Sequence, residues 1–294
     1  MAINRRDWLV VRAGAVGLVL LACGAPAWGW WAGGHALITR AAVQALPGEM
    51  PEFFRQGAEA MARLAPVPDA ERNPALSHLR SAGRGEHFLD LELLGGKALP
   101  DQRYDFLKLC AAAGQDPAQV GTAPYAVAEW TERLALAFAQ HRRWPANTLV
   151  QSECLTAAGH LAHYAEDLCQ PLHTTLHYDG RAGVDGKSPR SGIHEKVDAL
   201  PEKLKLDPAE LAKGLAPVTG DSLMPLILAQ LQASNGLVDS VYALEGELDH
   251  PESARVRAFA EERSRAAAAL TAGLYLRAWA ISASVELPGW LQRD

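Results

Sequence analysis

The sequence predicts an all-α fold, and three observations carry that expectation. Apolar residues recur three and four apart over long windows, as in Ala126, Trp130, Leu134, Ala137 and Phe138, the spacing that lines one face of a helix. Ala and Leu fill those windows, and both are strong helix formers. Runs of β-branched or aromatic residues with strand alternation are scarce, and aromatics make up only 7% of the chain. With 294 residues, 49% of them hydrophobic, the chain can bury a large core. No linker, repeat or low-complexity tract divides it, so one helical domain over 28–294 is expected.

Residues 1–27 read as an export signal. Arg5, Arg6 and Arg12 surround or precede an apolar run over 13–23, and Ala25-Pro26-Ala27 is a small-residue cleavage site. The run is too short to span a bilayer. Arg5-Arg6 sits in a twin-arginine-like context, and 20–23 loosely resembles a lipoprotein box that Leu21 disfavours. The expected address is the periplasm or the medium. The formal charge is −6, and losing three arginines with Asp7 takes the mature chain to −8. A protein that reads nucleic acid by charge alone would be basic. Cys110, Cys154 and Cys169 would survive cleavage, enough for one disulfide and an odd thiol. Along an unbroken helix Cys154 and Cys169 would lie about 22 Å apart, so a bridge would involve Cys110.

Taken in order, the mature chain opens on Trp28, Trp30 and Trp31, then His35 at the start of a helix over 36–46 that Pro47-Gly48 stops. A second amphipathic helix is expected over 49–64, then a turn-rich loop through Asp69, then a short extended segment at 85–92 with His87. After an irregular stretch holding a short helix at 104–113 comes a clear helix at 124–142, and another at 148–169. The glycine-punctuated segment 174–191 is a long loop, the kind that forms rims and lids. Helices follow at 193–206, from Asp207, at 221–244, and from 251 to about 285, the last rich enough in Ala and Leu to cross the core.

The helix at 148–169 organises the rest. His163 and Asp167 stand at i,i+4 on it, with β-carbons about 5–6 Å apart, close enough to grip one cation. Pro171 must end the helix and turn His173 back toward them, bringing together three donors of the types zinc prefers. Alone, such a pair is more commonly a surface ion pair or a satisfied core histidine. A second pair, His194 and Asp198, lies about twenty residues on, and the repetition favours metal. His160 shares the face of His163 and reads as a core or rim histidine.

Trp and His near a cut terminus, Asp69 ahead of His87, His163-x3-Asp167-x5-His173 and His194-x3-Asp198 occur in one order. That order resembles the zinc-dependent phospholipase C and S1/P1 nuclease superfamily over nearly the whole mature chain. The resemblance implies a multi-helix fold with a trinuclear zinc site. Asp69, His87, His163 and Asp167 would hold one ion; His173, His194 and Asp198 a second; and an N-terminal Trp, His35 and Asp167 the third. Asp69 and Asp167 would be the carboxylates on which catalysis depends, with Asp167 bridging two ions. Paired dications both acidify a shared water and clamp phosphate oxygens. Two departures stand out: cleavage after Ala27 exposes Trp28 while the spacing to His35 fits Trp30, and the gap from Asp69 to His87 is longer than the family pattern.

The function expected is an exported zinc-dependent phosphodiester hydrolase. Asp198 as the last ligand and the short Trp-to-His spacing lean to a nuclease acting on single-stranded nucleic acid and 3′-nucleotides, with Tyr178 as a platform for a base. The alternative within the class is a phospholipase C cleaving phospholipid headgroups. Outside it stand a catalytically silent periplasmic zinc protein and a helical partner-binding module; the latter leaves the ordered His/Asp pattern to chance. No stable protein partner and no membrane-spanning segment are expected.

Overall fold

The computed structural model describes residues 30–250 and 252–291; the expected signal at 1–27 and Trp28 lie outside them. Among the described residues there are helices and turns and no strand, only isolated bridges pairing Leu89 with Gly121 and Tyr178 with Gly180. The fold is all-α. The helices that matter for the site are α1 (Ala32–Gln44), α2 (Ala58–Leu64), α3 (Val67–Glu71), α4 (Ser77–Gly83), α5 (Ala123–Arg143), α6 (Thr148–Asp167), α7 (Ile193–Asp198), α8 (Leu223–Asn235) and α9 (Ala254–Ile281).

The hub is α6. Asn147 starts it, its side-chain oxygen accepting from the Leu149 and Val150 amides at 2.9 and 3.4 Å, which satisfies donors the first turn leaves open. Helices α5, α2, α9 and α1 all pack on it. Every residue from 157 to 175 is buried, so the second half of α6 has no solvent face. Each fully buried leucine there, such as Leu161, contributes about 1.5–3 kcal/mol. The Tyr275 hydroxyl on α9 donates to the Ala158 carbonyl at 3.0 Å, tying the long C-terminal helix across the core to the hub.

Several boundaries differ from the sequence expectation, each for a local reason. Helix α1 starts at Ala32 and not at 36, so His35 lies inside its first turn and is fully buried. The helix expected over 49–64 breaks into Glu52–Gln56 and α2 at Gly57, where a β-carbon would stand 2.4 Å from Leu155 of α6. The loop expected through Asp69 is the short helix α3, and the extended segment around His87 is a 3₁₀ turn, Arg84–His87. The helix at 193–206 is cut into α7 and Leu200–Lys203, because Pro201 has no N–H to give the Val197 carbonyl. The segment 221–244 likewise divides into α8 and Val238–Tyr242. Cys110, Cys154 and Cys169 are buried free thiols, so none of them forms the bridge that export would permit. Among the described residues, no helix is long and apolar enough to cross a membrane.

Candidate metal centre

The last turn of α6 delivers His163 and Asp167, both without solvent exposure. Their i,i+4 spacing sets His163 Nε2 3.3 Å from Asp167 Oδ2. Just beyond, the Gln170 side chain accepts from the Leu172 amide at 2.5 Å and Pro171 opens a 3₁₀ turn, Pro171–Thr174. That turn carries His173 back, with Nδ1 3.7 Å from Asp167 Oδ2. The turn bearing His87 is laced to it: the Leu89 amide donates to the His173 carbonyl at 2.9 Å, and His173 Nδ1 to the His87 carbonyl at 2.7 Å. His87 Nδ1 then stands 3.2 Å from Asp167 Oδ2, 2.9 Å from His163 Nε2 and 3.8 Å from Asp69 Oδ1. Asp69 on α3 is buried to 6% and receives Arg72 Nη1 at 3.2 Å.

The second pair sits on α7, whose start is set by Gly192 in the left-handed conformation, φ 86°, which a side chain would strain. The Asp179 carboxylate accepts from the Gly192 and His194 amides at 2.7 and 3.3 Å and holds that turn. His194 Nε2 lies 3.1 Å from Asp198 Oδ2 and 3.1 Å from His173 Nε2. The third approach comes from α1: His35 Nε2 is 3.4 Å from Asp167 Oδ1. Trp30 is fully buried, its indole donating to the Glu166 carbonyl at 3.1 Å.

Three sets of donor atoms, each within 4.8 Å of one another, therefore meet at one place: Asp69, His87 and His163; His173, His194 and Asp198; His35, His163 and Asp167. The chemistry of these sets fits cations. His173 and His194 each turn Nδ1 to a backbone carbonyl, of His87 and Tyr178 respectively, which fixes the tautomer and leaves a lone pair on each Nε2. Two lone pairs 3.1 Å apart beside a carboxylate repel unless a cation or a proton sits among them. Buried polar atoms almost always find partners, yet His35 Nε2, His87 Nε2, His163 Nδ1 and Asp167 Oδ1 have no hydrogen-bond partner.

The protonation balance points the same way. Burial would raise the Asp167 carboxyl, but the imidazoles packed around it and the hydrogen bond from His87 hold it well below the usual range. Burial holds His163 and His173 below the ordinary histidine value, as neutral imidazoles, the form that ligates metal. Burial opposes charge on His35 too, but the carboxylates of Asp167, 3.4 Å away, and Glu166, 2.7 Å away, raise it to about 10. Burial also raises Glu166, to about 7, so a positive charge between the two carboxylates is what favours both being ionised. Asp69 is raised, chiefly by burial.

Of the residues singled out from sequence, His35, Asp69, His87, His163, Asp167, His173, His194 and Asp198 are brought together, Trp30 is tied to the carbonyl of Glu166, the residue before Asp167, and Trp28 is outside the described residues. Tyr178 is half-buried, its ring edge-on to His194 with centroids 5.9 Å apart. His160 is buried outside the donor sets, stacked on Trp130 at 4.5 Å and 3.7 Å from Glu71. Sequence reasoning gave no role to two further residues. Gln170 donates Nε2–H to Asp198 Oδ1 at 2.6 Å, and its place beside Pro171 was the available signal. Glu166 accepts from His35 and Thr39, a role visible only once α1 meets α6.

No family model and no curated protein matches the chain. Solved structures similar to it include two alpha-toxins. The alpha toxin from Clostridium absonum is 15% identical, with 89% of this chain and 68% of that one covered and a TM-score of 0.46. The alpha-toxin of Clostridium perfringens isolated from avian strain SWCP is 13% identical, with 88% and 67% covered and a TM-score of 0.47.

Proposed function

We propose that the chain is an exported zinc-dependent hydrolase of phosphodiesters. The observation that carries this reading is the meeting of three buried His/carboxylate sets in one cluster, with imidazoles of His35, His87, His163 and His173 around Asp167. Borderline-soft imidazole with carboxylate is a zinc donor set. When bound, zinc supplies a Lewis acid for phosphate oxygens and lowers the pKa of water. The protein's own part is orientation. His87, His163 and His173 crowd Asp167 Oδ2 while His35 faces Oδ1, so histidines surround both carboxylate oxygens. Gln170 holds Asp198 in register with His194. Asp69, at the edge of the cluster and with its carboxyl raised by burial, is the group suited to take a proton from attacking water.

Within the class, a phospholipid headgroup ester is the substrate reading we place first. Residues 73–82 are all exposed, and they include Leu76 at 44%, Leu79 at 48% and Arg80. The excursion leaves the cluster at Asp69 and returns at His87, which stand 3.8 Å apart, so it rises from the edge of the pocket. Exposed leucines beside arginine, with no carboxylate between Glu71 and Glu86, suit a lipid–water boundary. The nuclease reading rests on Asp198 and the Trp30-to-His35 spacing, and a half-buried Tyr178 offers little platform to a base.

The test is zinc analysis of the purified protein, with hydrolysis of bis(p-nitrophenyl) phosphate before and after chelation. About three zinc ions per chain and zinc-restored turnover are expected. Zinc without turnover would leave a silent metal-binding protein. Phosphocholine released from vesicles, measured against nucleotide released from single-stranded DNA, ranks the two substrates.

A further inference from the structure

We infer that Glu166 is a positioning residue for a divalent cation, the group that selects the tautomer and orientation of His35 and so completes the third donor set. The inference rests on the cation-binding reading above and adds a residue to it.

Glu166 and Asp167 are neighbours on α6, yet successive side chains of a helix point about 100° apart. Asp167 faces the histidine cluster, whereas Glu166 faces α1. The His35 imidazole spans the two. Its Nδ1 lies 2.7 Å from Glu166 Oε2, and its Nε2 lies 3.4 Å from Asp167 Oδ1. A carboxylate can only accept, so Nδ1 carries a hydrogen, and Nε2, turned toward Asp167 and without a hydrogen-bond partner, is the nitrogen left to offer a lone pair to a cation. The other Glu166 oxygen is occupied too: Thr39, one turn along α1 from His35, donates to Oε1 at 2.8 Å. All three residues are fully buried.

A buried carboxylate is costly unless its lone pairs are filled. Here one oxygen is filled by a residue with no line to the cluster and the other by a proposed ligand. A carboxylate on the far nitrogen of a metal-bound histidine fixes the ring and raises its basicity, and loss of such a partner usually weakens metal binding about 10–100-fold. The side chain of Glu166 is separable from its backbone role, since Trp30 is held by the Glu166 carbonyl oxygen, which side-chain substitution leaves in place.

The experiment measures Zn²⁺ stoichiometry and affinity by chelator competition in the full chain, for wild type, Glu166→Gln, Glu166→Asp, Thr39→Val, His35→Ala and His35→Ala combined with Glu166→Gln, with far-UV circular dichroism confirming the fold of each. We expect three zinc ions in wild type. In Glu166→Gln, one should bind about 10–100-fold more weakly while the other two stay unchanged. Thr39→Val, which touches the same carboxylate but not the imidazole, should keep all three. With His35 already alanine, Glu166→Gln should produce no further loss, because the two residues act as a unit. Equal weakening of all three ions, an undiminished loss in the His35→Ala background, or wild-type affinities in Glu166→Gln would each overturn the assignment. If Glu166→Gln does not fold, Glu166→Asp carries the same comparison, with the shortened carboxylate expected to weaken one ion. Wild type without zinc would overturn the metal-centre reading itself, and this inference with it.

Discussion

Asp167 is the residue on which the site closes. It is fully buried, and imidazole nitrogens of His35, His87, His163 and His173 stand 3.2–3.7 Å from its two oxygens. Asparagine has the same shape but offers one acceptor and an N–H₂ that would point donors into a space already lined by imidazoles. Asp167→Asn should therefore lower kcat/KM on bis(p-nitrophenyl) phosphate by about 10²-fold or more, a loss on the scale of removing a main electrostatic group, and reduce bound zinc. Retained zinc together with retained turnover would refute the bridging role. At this scale the sequence is legible where chemistry and helical spacing coincide. His163/Asp167 and His194/Asp198 are each i,i+4 pairs whose geometry a helix dictates. Glu166 was not legible, since one acid beside another on a buried helix has no periodicity to betray which neighbour it serves.

Among the elements, the contact between α2 and α6 sets the edge of the pocket, because α2 leads directly into α3 and Asp69. Gly159 of α6 makes that contact possible. A β-carbon there would lie 2.5 Å from Leu64 Cβ, 3.2 Å from the Leu64 carbonyl carbon and 3.2 Å from the Met61 carbonyl oxygen, none of them the free end of a flexible side chain. Gly159→Ala must push α2 outward. Overpacking of this kind costs about 1–3 kcal/mol, so thermal denaturation should show Tm lower by several degrees, and zinc should be held less firmly through the displaced Asp69. A Tm equal to wild type would mean the helices can slide apart freely. The same burial governs the thiols. It pushes Cys110 up and Cys154 to about 12, and raises Cys169 as well. Iodoacetamide at pH 8 should leave the three unmodified in native protein and alkylate them after denaturation; fast alkylation of the folded protein would contradict their buried placement. Long helices were readable from apolar spacing, but the break at Gly57 was not, because what sits against it is Leu155, a hundred residues away in sequence.

For the whole molecule, the consequence of gathering ionisable groups at the hub is that its stability depends on what binds there. A metal that binds only the folded state stabilises it by RT ln(1 + [L]/Kd), about 4 kcal/mol for one site at a thousandfold excess over Kd, which is on the order of 10 °C in Tm for a chain of this size. The pH dependence follows from His35. Its folded value is raised to about 10 from 6.5, burial being outweighed by the neighbouring carboxylates of Asp167 and Glu166. In the metal-free protein, this group therefore contributes stability that is fully present below pH 6.5 and fades as the pH climbs toward 10. The zinc-loaded protein behaves oppositely, because imidazole must shed its proton to ligate and protons displace the metal in acid. The two melting curves should thus diverge with pH: nearly coincident below about pH 5.5, and farthest apart near pH 9. Calorimetry of zinc-loaded and chelator-treated protein across that range measures the gap directly. A gap that is constant with pH, or that narrows toward alkali, would mean that the positive charge demanded between Glu166 and Asp167 is not one that zinc and a proton compete to supply.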